Sequence, residues 1–430
     1  MSFRNTEIGK LPSEWDVKTL KECSTKITDG THSTVKDNKD GEYYLLSCKN
    51  VKNGNVVLGE KERKIDLDTL KKLRKRTNMD IGDLLLTTVG TIGESAIVKD
   101  LNFEFQRSVA IIKLDTKKVN KNFAYYITKD RYFKYQVSGR ISGSVQKCLY
   151  LGDINNIKIP LPSLAEQKAI AKILSDLDEK IEVNNKINKN LEEMAQAIFK
   201  QWFVDFEFPN EEGKPYKSSG GEMVESELGM IPKGWSINKI SEISEIKNGV
   251  NYSRNQEGEL VKVINVRDFN GSLIVNDNSL DNIYLQQKQI DDYKLKKFDT
   301  VIVRSAKPGE TILVDNDEIK VYSGFTIRVR TKKQSNKLYI FYCLRNSMKK
   351  IENSSNGTIF KNLNQRILGA LNFAMPSEKI LLKYNNLSEI IIEQISMKTK
   401  ENERLEKLRD TLLPKLMSGE IRVPLENSEN

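Results

Sequence analysis

The stretch EIGKLPSEWDVKTL, residues 7–20, returns in a related form as ELGMIPKGWSINKI at residues 227–240. The two copies share a glutamate, a glycine, a proline and a tryptophan, and the chain has only three tryptophans in 430 residues. Further along, Gly93-Glu94 corresponds to Gly309-Glu310, and residues 143–149 (GSVQKCL) correspond to residues 357–363 (GTIFKNL). A period of this length exceeds that of any solenoid repeat, so it indicates two copies of one domain.

Composition places the chain among globular proteins. A length of 430 residues fits two to four domains, and the duplication favours two. Charged residues make up 30% and hydrophobic residues 38%, without a low-complexity tract. No apolar run approaches the ~18 residues of a membrane span, and the N-terminus MSFRNTEIGK lacks the blocks of a signal peptide. We expect a cytoplasmic protein.

The net charge of +10 is distributed unevenly along the chain. Residues 1–162 carry 29 Lys and Arg against 20 Asp and Glu, and residues 227–376 carry 23 against 16. The segments that follow are acidic, with 8 against 13 in residues 163–226 and 9 against 10 in residues 377–430. Basicity confined to the two repeated units favours a polyanionic partner, most simply nucleic acid, although solubility alone also accounts for such an excess.

Within each repeated unit the pattern is mostly that of strands and loops, with one helix. The predicted elements are strands over 83–89, 108–114, 300–303 and 324–329, and helices over 121–135 and 337–351. Each unit closes on an apolar run that ends in proline, at Pro162 and at Pro376.

A long helix is predicted after each unit. The first opens with the capping-box pattern Ser163-Leu-Ala-Glu166 and continues to about Trp202, roughly 55–60 Å at ~1.5 Å per residue. Pro414 should end the second helix near its last turn. Residues seven apart form one apolar row in each helix: Ile170, Leu177, Asn184, Leu191 and Ile198, then Tyr384, Ile391, Lys398, Leu405 and Leu412. The pattern predicts a second apolar row at Ile173, Ile187 and Met194, with Leu387 and Leu408 in the other helix.

Heptad spacing indicates a helical partner, so we predict that the two long helices pair as an intramolecular antiparallel coiled coil. Asn184 and Lys398 occupy the same central position of the two rows, where a polar residue costs stability but fixes register. The coil would hold the two basic domains at a fixed distance with approximate two-fold symmetry. The alternative is an ordinary amphipathic helix packed on its own domain.

The search for catalytic chemistry gives no convincing site. His32 is the only histidine, in a polar loop where nothing pairs it with a nucleophile. The glycines of Gly90-Thr-Ile-Gly93 lack the lysine of a phosphate-binding loop, and a turn explains them. Glu212-Gly-Lys214 resembles a nuclease carboxylate-lysine set only faintly, because such triplets are frequent in so charged a chain. The chain is interpreted as a binding subunit.

The four cysteines give no zinc or disulfide pattern. Cys23, Cys48, Cys148 and Cys343 lie far apart without a C-x-x-C pair. We expect buried thiols, the usual state of free cysteine.

Taken together, these motifs closely resemble the specificity subunit of type I restriction-modification enzymes. The resemblance lies in the two G-x-[IL]-P-x-x-W stretches, the two G-[ST]-[VI]-x-K-x-L loops, PLPSLAEQ at 160–167 and AIFKQWFVDF at 197–206. It implies two target recognition domains, each recognising one half of a split DNA sequence. It also implies two modification subunits, which carry S-adenosylmethionine and methylate adenine, docked on the long helices. Restriction subunits with ATP- and Mg-dependent translocase and nuclease activity join that core.

The predicted fold is therefore α+β, with two repeated mixed α/β recognition domains and two long helices. The boundaries are residues 1–162 for recognition domain 1, 163–207 for the central helix, 208–226 for a linker, 227–376 for recognition domain 2, 377–420 for the C-terminal helix and 421–430 for a tail. Cofactors are expected in partner subunits, none in this chain. If both half-sites are approached from one face of the duplex, they should lie about 10 base pairs apart, leaving about 5 to 8 unspecified pairs.

Candidate DNA contacts are basic and polar residues in loops. The first choice is the glycine-rich loop of each copy: Arg140, Ser142, Ser144, Gln146 and Lys147, then Asn356, Thr358 and Lys361. Weaker candidates are Lys26, Lys49, Arg107, Arg254, Arg267, Arg304 and Lys307. Lys147 and Lys361 align between copies, which suggests a shared phosphate contact, whereas base-contacting residues should differ between copies.

Two other functions stay open at this point. A stand-alone bipartite DNA-binding regulator has the same geometry without catalytic partners. An enzyme with an unrecognised site would have to methylate or cleave DNA as an isolated chain.

Overall fold

Both copies of the repeat fold into two main sheets with matching strand orders. The computed structural model describes residues 2–59, 61–143, 147–253, 256–305, 308–353 and 363–424, and for residues 349–353 it describes the backbone alone. The chain divides into two compact units, residues 1–180 with 405–430 and residues 181–404. Each unit therefore contains one copy of the predicted domain and a part of both long helices.

The first copy consists of short strands with a few helices, followed by the first long helix. In chain order the elements are β1 (Phe3–Thr6), β2 (Gly9–Pro12), β3 (Asp16–Thr19), β4 (Ser24–Asp29), β5 (Tyr43–Leu46), β6 (Val51–Lys52), β7 (Asn55–Val56), β8 (Arg63–Ile65), α1 (Leu67–Thr77), β9 (Leu84–Thr87), β10 (Ser95–Ile97), β11 (Phe103–Phe105), β12 (Val109–Leu114), α2 (Lys121–Lys129), α3 (Arg131–Ser138), α4 (Leu151–Asn155), β13 (Lys158–Leu161) and α5 (Leu164–Phe203).

Two sheets form the body of this domain. The antiparallel sheet has the order β10-β9-β12-β4, and the other has the order β11-β5-β8 with β11 parallel to β5. Strand β9 is buried along its whole length because both of its faces are covered. Leu84 and Leu86 face a core that includes Phe123 of α2, while Leu85 between them faces a core that includes Phe105 of β11.

The second copy repeats most of these elements, has no counterpart of β6 and β7 among its described residues, and ends in a long helix of the same length. They are β14 (Met223–Ser226), β15 (Gly229–Pro232), β16 (Ser236–Lys239), α6 (Ile240–Ile243), β17 (Ser244–Asn248), β18 (Glu259–Ile264), β19 (Asp281–Leu285), α7 (Gln287–Tyr293), β20 (Thr300–Val303), β21 (Thr311–Leu313), β22 (Lys320–Tyr322), β23 (Thr326–Thr331), α8 (Lys337–Asn353), α9 (Gln365–Gly369), β24 (Asn372–Met375) and α10 (Glu378–Met417). The sheet orders β21-β20-β23-β17 and β22-β18-β19 repeat those of the first copy.

In each copy one glycine lets the two sheets meet. Gly30 follows β4, and a Cβ atom placed there would lie 2.1 Å from the carbonyl oxygen of Phe105. Gly249 follows β17 in the second copy, and its Cβ would lie 2.2 Å from the carbonyl oxygen of Ser323. Because real Cβ atoms never approach an oxygen so closely, only glycine fits at these two points.

The predicted helix over residues 121–135 is wrong in one respect, because it is two helices. Asp130 interrupts it with a φ of −70° and a ψ of 150°, and its carboxylate accepts a hydrogen bond from the Tyr132 amide at 2.8 Å. An aspartate that caps the next helix stabilises the break. The counterpart α8 runs from Lys337 to Asn353 without a break.

The two long helices, α5 and α10, each have 40 residues, so each is about 60 Å long. Ser163 caps α5 as predicted, with its hydroxyl accepting from the Glu166 amide at 3.3 Å. The Glu166 carboxylate accepts from Trp15 Nε1 at 3.1 Å and pairs with Arg422 Nε at 2.7 Å, so it links the start of α5 to two distant parts of the first unit. Pro414 lies inside the last turn of α10.

Within each unit, side chains of α5 contact side chains of α10. In the first unit, Asp178 Oδ1 lies 2.7 Å from Arg409 Nη1. In the second unit, Asn184 is fully buried and its Nδ2 donates to Asn402 Oδ1 at 2.8 Å, while Asn188 Nδ2 donates to Thr399 Oγ1 at 3.3 Å. The numbering rises along one helix and falls along the other, so the two helices run in opposite directions in the second unit.

The predicted second row of helix residues is wrong. Every member of the first predicted row is buried or half-buried, from Ile170 to Ile198 and from Tyr384 to Leu412. Ile173, Ile187 and Met194 are exposed, as are Leu387 and Leu408. The companions of the first row lie on its other side, at Leu174, Ile181, Asn188, Ala195 and Trp202, then at Ser388, Ile395, Asn402, Arg409 and Leu416.

The segment predicted as a linker is packed and partly regular. The Phe208 ring stacks on Tyr216, with centroids 4.6 Å apart, and on Trp235, with centroids 5.6 Å apart. Strand β14 begins at Met223 and pairs with β15. Domain 2 therefore begins before the predicted residue 227. No helix among the described residues is long and apolar enough to cross a membrane.

Replacing Gly30 by alanine should destabilise the first unit, because the new Cβ would overlap the Phe105 carbonyl. We expect the free energy of unfolding to fall by about 1–3 kcal/mol or more. Gly152→Ala is the matched control, since a Cβ there meets nothing within 4 Å inside helix α4. That variant should gain about 0.4–1 kcal/mol. Equal urea midpoints for the two variants would contradict this account.

Candidate nucleic-acid interface

In each unit, three segments from distant parts of the chain meet at the end of one buried strand. In the first unit these are Thr88 after β9, the two-residue turn Arg107-Ser108 before β12, and Leu149; we call this set turn cluster 1. The Thr88 amide donates to the Ser108 carbonyl at 2.9 Å, and the Leu149 amide donates to the Thr88 carbonyl at 2.9 Å. The Arg107 amide donates to the Thr31 carbonyl at 3.0 Å, which ties the turn to the residue after Gly30.

The second unit contains the same cluster with different side chains. Turn cluster 2 consists of Arg304 after β20, the turn Gly324-Phe325 before β23, and Leu363. The Arg304 amide donates to the Phe325 carbonyl at 3.0 Å, and the Leu363 amide donates to the Arg304 carbonyl at 3.0 Å. The Gly324 amide donates to the Val250 carbonyl at 2.8 Å. The backbone is thus held by equivalent bonds in both copies.

A basic residue lies on a short 3-10 helix after the same strand in both copies. Lys49 lies on Cys48–Asn50 after β5, and Arg267 lies on Val266–Asp268 after β18. Their side chains are 62% and 61% exposed, and each pairs with a carboxylate, Lys49 with Glu62 at 3.0 Å and Arg267 with Asp281. Arg267 Nε also lies 3.7 Å from Asp268 Oδ1. Because both cationic side chains remain mostly exposed, an anionic ligand can reach them.

This equivalence was not found from the sequence. The offset between Lys49 and Arg267 is 218 residues, different from the 216 and 214 of the visible repeats, and the flanking residues differ. The strand order reveals the equivalence, because β5 and β18 are the central strands of the corresponding three-stranded sheets. In the first unit the Cys48 amide donates to Ser108 Oγ at 3.0 Å, which places Lys49 beside turn cluster 1.

Several predicted DNA-binding residues lie in or beside the clusters. Arg107 and Arg304 are members of clusters 1 and 2. Ser142 exchanges two backbone hydrogen bonds with Cys148, at 3.1 and 2.9 Å, and Cys148 in turn pairs with Val89. Lys147, which is exposed, directly precedes Cys148 and so lies beside turn cluster 1.

Two predicted residues are used inside the domain instead. Arg140 donates to the carbonyl oxygens of Gln136 at 3.0 Å and Asn156 at 3.4 Å, so it holds the end of α3. Lys26 Nζ donates to the Arg76 carbonyl at 2.5 Å, at the end of α1. The remaining predicted residues lie outside the described part of the chain: Ser144, Gln146, Arg254, Lys307, Asn356, Thr358 and Lys361.

The described residues offer little for nucleophilic or metal chemistry. Burial raises the pKa of the Cys23 thiol to about 11 and that of Cys343 to about 12, so neither is a thiolate at neutral pH. His32 has a partner after all, with Nε2 lying 2.6 Å from Asp29 Oδ2. Among the described residues, no group of three or more His, Cys, Asp or Glu is placed to hold a metal ion.

The cysteine prediction is correct for two of the four residues. Cys23 and Cys343 are buried, whereas Cys48 and Cys148 are only half-buried, and all four are free thiols.

Comparison with known proteins gives matches along nearly the whole chain. The family model described as "Type I restriction modification DNA specificity domain" matches twice, at residues 12–193 and 232–407. A type I restriction enzyme MjaIX specificity subunit from Methanocaldococcus jannaschii is 29% identical over 98% of this chain and 96% of its own length. The HindI specificity subunit of Haemophilus influenzae is 23% identical over 67% and 74%.

The fold is also similar to that of a solved structure. The crystal structure of a type I restriction-modification S subunit from M. genitalium superposes with a TM-score of 0.55 at 16% identity, covering 94% of this chain and 96% of that chain. Each family match extends from the repeated tryptophan region into the following long helix, so the repeated sequence unit is a domain together with its helix.

The equivalent cations should both contact phosphate. Replacing Lys49 or Arg267 by alanine should weaken binding to all duplex sequences about equally and reduce the salt dependence of log K by about one unit each. Lys288→Ala, on α7 of the second unit, is a control of equal charge change at a residue that belongs to neither cluster. Fluorescence anisotropy at several salt concentrations measures both quantities. Unchanged affinity for DNA in both variants would show that Lys49 and Arg267 do not contact phosphate.

Proposed function

Because the chain belongs to the family of type I restriction-modification DNA specificity subunits, and is the DNA sequence-recognition subunit of such a complex, we propose that each domain copy recognises one half of a bipartite site. The observation that carries this proposal is the duplicated turn cluster with its flanking cation. The two copies have the same backbone arrangement and an equivalent cation, Lys49 or Arg267, so both domains can bind the phosphates of DNA in the same orientation. Different side chains on that backbone suit two different half-sites.

The long helices are proposed to pair as an antiparallel coiled coil with approximate two-fold symmetry and to set the spacing of the half-sites. Their equal length and the hydrogen bond between Asn184 and Asn402 support this proposal. Two further bonds join the helices nearby, from Asn188 Nδ2 to Thr399 Oγ1 and from Asn402 Nδ2 to Asn185 Oδ1. Sliding either helix would break this set of three bonds, so the set favours the present register. A single register gives a single spacing.

The exposed apolar residues of the helices are proposed to bind two modification subunits. Ile173 and Leu387, Val183 and Met397, and Met194 and Leu408 are three exposed pairs, each 214 residues apart. At 100° per residue the members of each helix fall within an arc of about 80° beside the buried side. Because the same apolar positions occur in both helices, the occupant should be two copies of one protein. The acidic balance of these segments disfavours DNA there.

The catalytic steps of the complex are assigned by this proposal to partner subunits. S-adenosylmethionine would be bound by the modification subunits, and ATP and Mg²⁺ by the restriction subunits. The stand-alone regulator is not favoured, because relatives matched over nearly their whole length are restriction enzyme specificity subunits.

Mapping methylated adenines in DNA exposed to this chain and its modification subunit tests the bipartite site. We expect one motif of two specified halves separated by unspecified base pairs. A continuous motif would rule out two separate half-site readers.

Lengthening both helices tests whether they set the spacing. Duplicating residues 180–186 in α5 and the equivalent residues 394–400 in α10 adds one heptad to each, about 10 Å or roughly three base pairs. We expect the unspecified gap to grow while both halves keep their sequences. A heptad added to α5 alone is the control and should disturb pairing. If the doubly lengthened chain keeps the original gap, the helices do not act as a spacer.

The apolar rows can be tested by counting bound partners. Met194→Glu in α5 or Leu408→Glu in α10 should each reduce the modification subunits bound per chain from two to one. Lys189→Glu is the control, because its 78% exposed side chain lies on another side of α5 and undergoes a larger change of charge. Native mass spectrometry of the purified complex gives the ratio. Two bound subunits in both variants would place the contact elsewhere.

A further inference from the structure

We propose that Arg304 and Phe325 determine the sequence of the second half-site, the guanidinium on a guanine and the phenyl ring on the methyl group of a neighbouring thymine. This inference rests on the proposed function of two half-site readers and adds to it the residues and the base chemistry. It follows from a comparison of the two turn clusters.

The two clusters place equivalent residues on an equivalent backbone. The Thr88 amide bonds the Ser108 carbonyl, just as the Arg304 amide bonds the Phe325 carbonyl. Each two-residue turn is closed by a further bond, from Val109 N to the Gln106 carbonyl at 3.2 Å and from Thr326 N to the Ser323 carbonyl at 2.8 Å. Arg304 therefore stands where the first copy has Thr88, and Phe325 stands where it has Ser108.

In cluster 1 these two side chains are held within the domain. Thr88 is 3% exposed, and its hydroxyl donates to the Arg107 carbonyl at 3.4 Å. Ser108 Oγ accepts the hydrogen bond from the Cys48 amide. The side chain that extends freely from cluster 1 is that of Arg107, which is exposed.

In cluster 2 the corresponding side chains are not needed to hold the fold. The only hydrogen bond of the Arg304 guanidinium to another described residue runs to the Gly324 carbonyl at 3.5 Å, within the cluster itself. Other arginines of the second unit pair with carboxylates, among them Arg328 with Glu245, Arg330 with Asp299 at 2.5 Å and Arg345 with Glu192 at 3.5 Å. A guanidinium that no described carboxylate engages keeps its donor pairs for a ligand.

Phe325 is 64% exposed at the tip of the turn and belongs to none of the apolar cores of the second unit. A single exposed apolar residue needs no explanation by itself. Here it directly neighbours an arginine whose guanidinium pairs with no carboxylate among the described residues, on a cluster whose first copy has serine at the same position. An arginine and an aromatic ring side by side match the donor and methyl patterns of adjoining base pairs in the major groove.

The test compares methylation motifs of the complete complex made with four variants of the full chain. Arg304→Lys keeps the charge but loses the two-pronged donor, and Phe325→Ala removes the ring. Leu260→Ala, 59% exposed on β18, is the matched control for loss of an exposed apolar side chain. Arg107→Ala reports on the other cluster. Thermal unfolding and the number of bound modification subunits verify that each variant is assembled.

We expect Arg304→Lys and Phe325→Ala to relax neighbouring base pairs within one half of the motif, each with a loss of discrimination of roughly 5- to 150-fold. Arg107→Ala should relax the opposite half, and Leu260→Ala should change nothing. The inference is overturned if either cluster 2 variant leaves its half unchanged, or if it alters the half that Arg107→Ala alters. A wild-type motif without two halves would instead overturn the proposed function, so the two failures are distinguishable.

Discussion

The architecture of both units depends on a contact between two backbones that have no side chain between them. Beyond β4 and beyond β17 the chain leaves one sheet and runs alongside the other, forming parallel bridges from Thr31 to Gln106 and from Val250 to Ser323. Gly30 and Gly249 permit this approach. This contact also fixes the position of the turn in each cluster. The Arg107 amide donates to the carbonyl of Thr31, which follows Gly30, and the Gly324 amide donates to the carbonyl of Val250, which follows Gly249. The geometry of each turn cluster is therefore set by the join of the two sheets.

Much of the fold could be predicted because duplication and periodicity are properties of sequence. Duplication predicts the two copies of the domain, and the periodicity of apolar residues predicts the buried strands and the two long helices. The second helix row could not be assigned, because apolar residues stand on both sides of the first row and only packing decides which side is covered. Leu174 and Ile181 became buried, whereas Ile173 and Ile187 did not. The break at Asp130 depends on a side chain that hydrogen-bonds to its neighbour's backbone, which competes with continued helix and leaves no periodic signal.

The site was predicted less well than the fold. Lysines and arginines in loops are numerous, and sequence does not reveal which of them bond to the domain's own backbone. Arg140 and Lys26 do so. The equivalence of Lys49 and Arg267 emerges only when strands are superposed, because insertions between them changed the offset of the repeat. Phe325 was overlooked because it aligns with a serine, and a contact that differs between copies cannot be found by searching for what they share.

The division of the chain has a consequence for its synthesis on the ribosome. The second unit is continuous, residues 181–404, whereas the first unit needs residues 405–430 as well. Leu416 lies in the core of the first unit, and Arg422 pairs there with Glu14 and Glu166. The domain that is translated first is thus completed last, after the domain inside it has left the ribosome. Until then the part of its core that Leu416, Met417 and Val423 complete lacks these side chains. Apolar surface exposed in this interval favours aggregation of the nascent chain.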